Sequence, residues 1–147
     1  MNKPIYILNG PNLNRLGTRE PEIYGKTTLA EIETMCRKAA GARPIEFRQT
    51  NAEHQLVDWI HEAIDAGAAI VINPAGLSFR SIPVLDALKM FPGPIIELHI
   101  SNIHRREEIY QRSLMSRAAT AVIMGLGPDG YATAVSAVVR LLEKKST

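Results

Sequence analysis

Five short apolar runs, each followed by a longer stretch, constrain this chain more than any other feature. The runs are Pro4–Leu8, Ile45–Arg48, Ala69–Ile72, Ile95–Ile100 and Ala121–Met124. They show little polar alternation, as strands covered on both faces should. Between them, apolar residues recur at helical spacing. Thr27 or Thr28 caps a helix carrying Leu29, Ile32, Met35 and Cys36, which stops near Gly41. Asn51 caps a second, with Leu56, Ile60, Ala63 and Ile64 on one face before Gly67. A third runs from about Ser81 to Met90, with Pro83 in its first turn and Pro92 past its end. The stretch from roughly Arg105 to Leu114 reads as a charged helix. The last helix, from about Asp129 to Lys144, carries Ala134, Val135, Val138, Val139 and Leu142. Such alternation implies a parallel sheet with right-handed crossovers and helices on both faces. Five strands predict a three-layer, flavodoxin-like α/β fold of order 2-1-3-4-5.

Length and composition narrow the function classes. The 147 residues fit one domain, 1–147. A content of 46% hydrophobic and 22% charged residues excludes disorder, collagen and a coiled coil. Seventeen basic against 15 acidic residues leave a net charge of +2, too small to argue for nucleic acid. The single cysteine, Cys36, rules out an intramolecular disulfide and a Cys-rich metal site. No apolar run approaches the ~18 residues of a membrane span, and the first is too short for a signal peptide. The expectation is a cytoplasmic protein without a membrane partner.

In open α/β sheets, ligands bind beyond the carboxyl ends of the strands. Here those ends read Asn9-Gly-Pro-Asn12, Asn73-Pro-Ala-Gly76 and Glu97-Leu-His-Ile-Ser-Asn102, rich in polar side chains. The first is followed by a loop from Gly10 to about Lys26, far longer than the usual 2–6 residues of a βα loop. Leu13, Leu16, Ile23 and Tyr24 give it apolar anchors, and Gly17 and Gly25 are its candidate hinges. It reads as a lid. Arg15 and Arg19 in that lid would lower the pKa of Tyr24 and make it a phenolate base, against the bland alternative of a solvated loop. Glu97, His99 and Ser101 fall on one side of their strand by period 2. A carboxylate two residues from an imidazole stabilises the imidazolium, which suits a general acid, although a structural ion pair has the same spacing.

Other chemistries lack their residues. His54, His61, His99 and His104 form no metal-binding spacing, so no metal is expected. Gly125-Leu-Gly-Pro-Asp-Gly130 matches a dinucleotide fingerprint in spelling only. It follows the last strand, without the acidic residue ~20 positions on, and reads as a turn entering a helix. There is no Gly-x-Ser-x-Gly elbow. A phosphorylated receiver would need acidic residues where Asn9 and Asn73 stand.

The segment Asn9-Gly-Pro-Asn-Leu-Asn-Arg-Leu-Gly-Thr-Arg-Glu-Pro-Glu-Ile-Tyr-Gly25 closely resembles the signature of type II 3-dehydroquinate dehydratases. The likeness continues through Arg48-Gln-Thr-Asn51, Leu56-Val-Asp-Trp-Ile60, Ile72-Asn-Pro-Ala-Gly76, Glu97–Asn102, Arg106-Glu-Glu108 and Gly125-Leu-Gly127. It implies a cofactor-free lyase of the shikimate pathway or of quinate catabolism, assembled as a dodecamer of four trimers. The reaction removes water from 3-dehydroquinate through an enolate to give 3-dehydroshikimate. By match to the family's motifs, Tyr24 would take the proton alpha to the ketone, and Arg19 would hold the lid and favour the phenolate. Asn12 would position the group or water facing the enolate oxygen. His99, supported by Glu97, would protonate the leaving hydroxyl. Asn73 and the backbone N–H groups of Ile100 and Ser101 would hold the substrate carboxylate. Asp86 would reach the site of a neighbouring subunit, and Arg106 would support the site.

Two positions depart from the family. Phe79 stands where it normally has histidine, and Tyr110 where it normally has arginine. Both family residues recognise ring hydroxyls remote from the reacting carbon, through contacts worth about 1.5–3 kcal/mol when charge-assisted. Three readings follow: a dehydroquinase compensated by Arg80, Arg112 or the Tyr110 hydroxyl; a diverged lyase for a related carboxylated ring ketone with altered hydroxyls; or a non-catalytic protein that binds a small molecule. The last leaves the presence of Tyr24, Arg19 and His99 together without a reason.

Overall fold

The computed structural model describes residues 2–18 and 20–145, with backbone alone for Ile23, Tyr24 and Lys145. Five parallel strands, β1 (Ile5–Asn9), β2 (Ile45–Gln49), β3 (Ala69–Asn73), β4 (Ile95–His99) and β5 (Ala121–Met124), lie in the order 2-1-3-4-5. The helices are α1 (Pro21–Tyr24), α2 (Leu29–Ala40), α3 (Glu53–Ala66), α4 (Ile82–Lys89) and α5 (Asp129–Lys145). Among the described residues no helix is long and apolar enough to cross a membrane.

Alternate side chains of the central strands enter two separate cores. Ile5 and Ile7 pack with Ile32 and Cys36 of α2 and with Val135 and Val138 of α5. Tyr6 and Leu8 pack on the opposite face with Leu56 and Ile60 of α3 and with Val84 and Leu88 of α4. β1, β3 and β4 are buried at every position, which is why their sequences are mainly apolar, with polar residues only toward their carboxyl ends. The expected layers and strand order are those observed.

Two helix starts differ in instructive ways. Thr28 forms a full capping box with Glu31, the Thr28 Oγ1 accepting from the Glu31 N–H at 3.2 Å. Asn51, by contrast, does not cap α3, whose N-cap is Ala52. Its Oδ1 accepts instead from the Asn12 N–H (2.9 Å) and from Gln49 Nε2 (3.0 Å), tying the first loop to the second. The polar atom that could have capped the helix is taken by a partner 39 positions away.

The charged helix expected over Arg105–Leu114 is absent. That stretch contains 3₁₀ turns, Ile103–Arg105 and Glu108–Tyr110. Its apolar content is slight, with Ile109 68% exposed, so no stripe exists to bury against the sheet. Its polar groups are committed elsewhere: Asn102 Oδ1 accepts from the His104 N–H, Gln111 Nε2 donates to the Arg106 carbonyl, and the Leu114 N–H donates to the Ser78 carbonyl. The loop after β1 also has structure that periodicity does not reveal, a 3₁₀ turn at Leu13–Arg15 and the single turn of α1. Leu13 and Leu16 are buried, as expected of anchors. Gly17 and Gly25 both adopt positive φ (94° and 76°), the conformation expected where glycine is required.

Candidate active site

Three strand ends converge because β1, β3 and β4 are neighbours and stop almost level. Asn9 pairs in register with Asn73, and Ile72 with Glu97. The loops beyond them touch backbone to backbone. The Gly10 N–H donates to the Asn73 carbonyl at 2.8 Å, and a Cβ at Gly10 would lie 2.4 Å from the Pro74 oxygen. Only glycine fits there. The result is a pocket of about 220 Å³ whose lining includes Asn12, Asn73, His99, Ile100, Ser101 and Arg106. Six of the ten residues singled out from sequence thus share one cavity. Among the described residues its lining holds an arginine and a histidine but no carboxylate, which suits a small anion.

Glu97 sits directly behind that lining, fully buried. Its Oε2 lies 2.5 Å from His99 Nε2, and its Oε1 accepts from the Ser116 hydroxyl at 2.6 Å. Burial alone would push this carboxyl up. Hydrogen bonds from His99, Ser113 and Ser116, with the charge of His99, outweigh that and hold it below the ordinary glutamate value. An ionised carboxylate can only accept, so Nε2 carries a hydrogen and Nδ1 is the ring nitrogen Glu97 leaves unengaged. The period-2 expectation for Glu97 and His99 is met by direct contact.

Asn73 is held by its own small network. The Ala75 N–H donates to its Oδ1 at 3.2 Å, while its Nδ2 donates to the Tyr131 hydroxyl at 2.9 Å. Ala75 itself adopts φ 53°, a left-handed backbone that the Asn73 bond helps to hold.

The two unusual residues meet in the pocket wall. Phe79 and Tyr110 pack edge to face at 5.6 Å between ring centroids. Phe79 also stacks on His99 at 6.3 Å, and the Arg106 guanidinium lies 4.2 Å from the centre of the Tyr110 ring. Aromatic surface therefore covers the side of the pocket between His99 and Arg106.

The remaining expected residues stand apart. Asp86 is exposed on α4 and does not line the pocket. Arg19 and the Tyr24 side chain lie outside the described residues. Among the described residues no three of His, Cys, Asp and Glu come together as a metal site.

A family model described as dehydroquinase class II matches residues 3–139. The chain belongs to the class II dehydroquinase family. It is 55% identical over 145 residues to the 3-dehydroquinate dehydratase of Streptomyces avermitilis, covering 97% of this chain and 91% of that one. The enzyme of that name from Caulobacter vibrioides is 49% identical over 144 residues, with 97% and 99% covered. Among solved structures, the type II dehydroquinase from Propionibacterium acnes superposes with a TM-score of 0.91 at 44% identity, covering 95% and 98% of the two chains.

In this member of the dehydroquinase family, sequence reasoning passed over Ser113, Ser116 and Tyr131. The two serines lie in a segment without periodicity, and nothing local marks them. Tyr131 did carry a signal. It precedes Ala134, Val135 and Val138 at helical spacing, and a buried tyrosine hydroxyl needs a partner.

Proposed function

We propose that this chain, read as one domain over residues 1–147, dehydrates 3-dehydroquinate to 3-dehydroshikimate. The observation that carries this reading is the buried Glu97–His99 pair backing a small pocket with a cationic, carboxylate-free lining in a chain of this family. Asn73 and the backbone N–H groups of Ile100 and Ser101 hold the substrate carboxylate. The Tyr24 phenolate, favoured by Arg19 in the closed lid, removes the proton alpha to the ketone. The electron pair passes to the carbonyl oxygen as an enolate, opposite the group or water that Asn12 positions. Reformation of the ketone makes the C=C bond and expels the β-hydroxyl, which takes a proton from the His99 imidazolium and leaves as water. Glu97 stabilises that imidazolium. The proton on Tyr24 returns to the catalytic pair through solvent, and no cofactor is needed.

Two of the other three tyrosines, Tyr6 and Tyr131, are poorly suited to act as the base. Burial and the Glu62 contact push Tyr6 up to about 12, and it lies on the opposite face of the sheet. Burial holds Tyr131 well above the ordinary tyrosine range, and its hydroxyl donates to Asn9 Oδ1 at 2.7 Å. Asp86, exposed on α4 between Ile82 and the helix's C-terminal cap Met90 (54% and 55% exposed), is suited to a neighbouring subunit's site. Arg106 supports the site, and the assembly is the family's dodecamer of four trimers. The enzyme acts in the cytoplasm, in aromatic amino acid biosynthesis or in quinate breakdown.

The Phe79–Tyr110 contact favours one second reading, a lyase for a related carboxylated ring ketone with fewer hydroxyls. Two facing aromatic rings offer a ligand a largely apolar wall. Adding 3-dehydroquinate to the purified protein and following enone absorbance separates the readings. Turnover, undiminished by a chelator, is the expected result. Absence of turnover with rescue by Phe79→His plus Tyr110→Arg would establish the second. Tyr24→Phe should lower kcat by about 10²–10⁴-fold while leaving carboxylate binding intact; an active variant would remove Tyr24 as the base.

A further inference from the structure

We infer that Tyr131, on the far helix α5, is a positioning residue that fixes the Asn73 amide for ligand binding. The inference rests on the reading of Asn73 as a donor to the substrate carboxylate. Four bonds in series set the direction of every group. At one end Asn9 Nδ2 donates to the Arg48 carbonyl at 3.0 Å, and a carbonyl can only accept. The Asn9 Oδ1 is therefore the acceptor for the Tyr131 hydroxyl, 2.7 Å away. With its one hydrogen used there, the Tyr131 oxygen accepts from Asn73 Nδ2 at 2.9 Å. At the other end the Ala75 N–H, which can only donate, meets Asn73 Oδ1 at 3.2 Å.

Two backbone groups of opposite character thus lock the chain of side chains between them. Flipping the Asn73 amide would set its oxygen against the Tyr131 oxygen, whose hydrogen is already committed, and its NH₂ against the Ala75 N–H. Both bonds would be lost in a buried site, where unmade bonds are most costly. Asn73 Nδ2 carries two hydrogens. Tyr131 takes one, and the second is what Asn73 offers to the pocket it lines. Tyr131 and Asn9 are each fully buried and line no part of that pocket, so their polar atoms serve the network. A phenylalanine at 131 would complete the apolar face of α5 equally well but would leave Asn73 free to turn.

A bond to the carboxylate is present in both the bound substrate and the transition state, so weakening it raises KM and spares kcat. Steady-state kinetics with 3-dehydroquinate on Tyr131→Phe, Asn73→Ala and the double variant test the inference. Expected is a rise in KM of about tenfold for Tyr131→Phe, the size of one hydrogen bond, with kcat within about twofold. In the Asn73→Ala background the same change should add little, because its target is gone. An impaired Asn73→Ala enzyme beside a Tyr131→Phe enzyme of normal KM overturns the role of Tyr131 alone. So does an equal effect of Tyr131→Phe in both backgrounds, or a loss confined to kcat. A normal KM for Asn73→Ala overturns the carboxylate reading and this inference together. Should Tyr131→Phe fail to fold, Asn9→Ala removes the acceptor that orients the hydroxyl; it should raise KM in the same sense, and an unchanged KM overturns the inference.

Discussion

Glu97 is an ion kept where burial works against it, and its partners make that position tenable. His99, Ser113 and Ser116 hold its pKa below the ordinary glutamate value in the folded protein. A carboxyl with a lowered folded pKa contributes stability that is fully present above the unfolded value, about 4.3, and is lost as pH falls through the folded value. The stability advantage of the wild type over Glu97→Gln should therefore shrink as pH falls below about 4.3. Thermal unfolding of both proteins across that range checks it, and a gap independent of pH would contradict the assignment. At this scale the sequence was legible in part. The spacing of Glu97 and His99 is enough to put them in contact. The two serines that satisfy the carboxylate come from a loop whose path depends on distant bonds, including that of Leu114 to Ser78.

Elements follow local rules where nothing competes for their polar groups. Thr28 and Glu31 satisfy each other at the start of α2, and Thr28→Ala should cost about 1 kcal/mol by urea unfolding. An unchanged midpoint would mean that the box contributes nothing beyond what water supplies. Asn51 shows the limit of such rules, since the same chemistry one helix later serves the Asn12 backbone instead. Strands and long helices could be read because burial marks them, a strand as an unbroken apolar run and a helix as a repeating apolar face. The 103–117 stretch could not, because a run of 3₁₀ turns held by side-chain bonds leaves no repeating pattern. The loop after β1 is an intermediate case. Its excess length and buried Leu13 and Leu16 are apparent from sequence, whereas the turn of α1 is too short to be.

For the whole molecule, the sheet order follows from chain alternation, but what covers its outer surfaces does not. Ile82 on α4 and Met90, its C-terminal cap, are exposed with Asp86 between them in the chain, and an assembled enzyme would bury them there. Ile82→Lys with Met90→Lys should reduce the sedimentation coefficient and lower turnover together, because the proposed neighbour would no longer deliver Asp86. A small particle with full activity would remove Asp86 from the site. The aromatic pair of Phe79 and Tyr110 belongs to this scale too. Its members are 31 positions apart in the chain and become neighbours only when the loops after β3 and β4 meet.

The order 2-1-3-4-5 has one further result. The proposed base lies in the loop that follows β1 and the proposed acid ends β4, with β3 between them. Two strand spacings, about 10 Å in all, therefore set the breadth of the catalytic floor. That floor behaves as a ruler with fixed graduations. A protein cut between α3 and β3 would hold the proposed base on one piece and the proposed acid on the other, and only re-formation of the β1–β3 seam would reunite them.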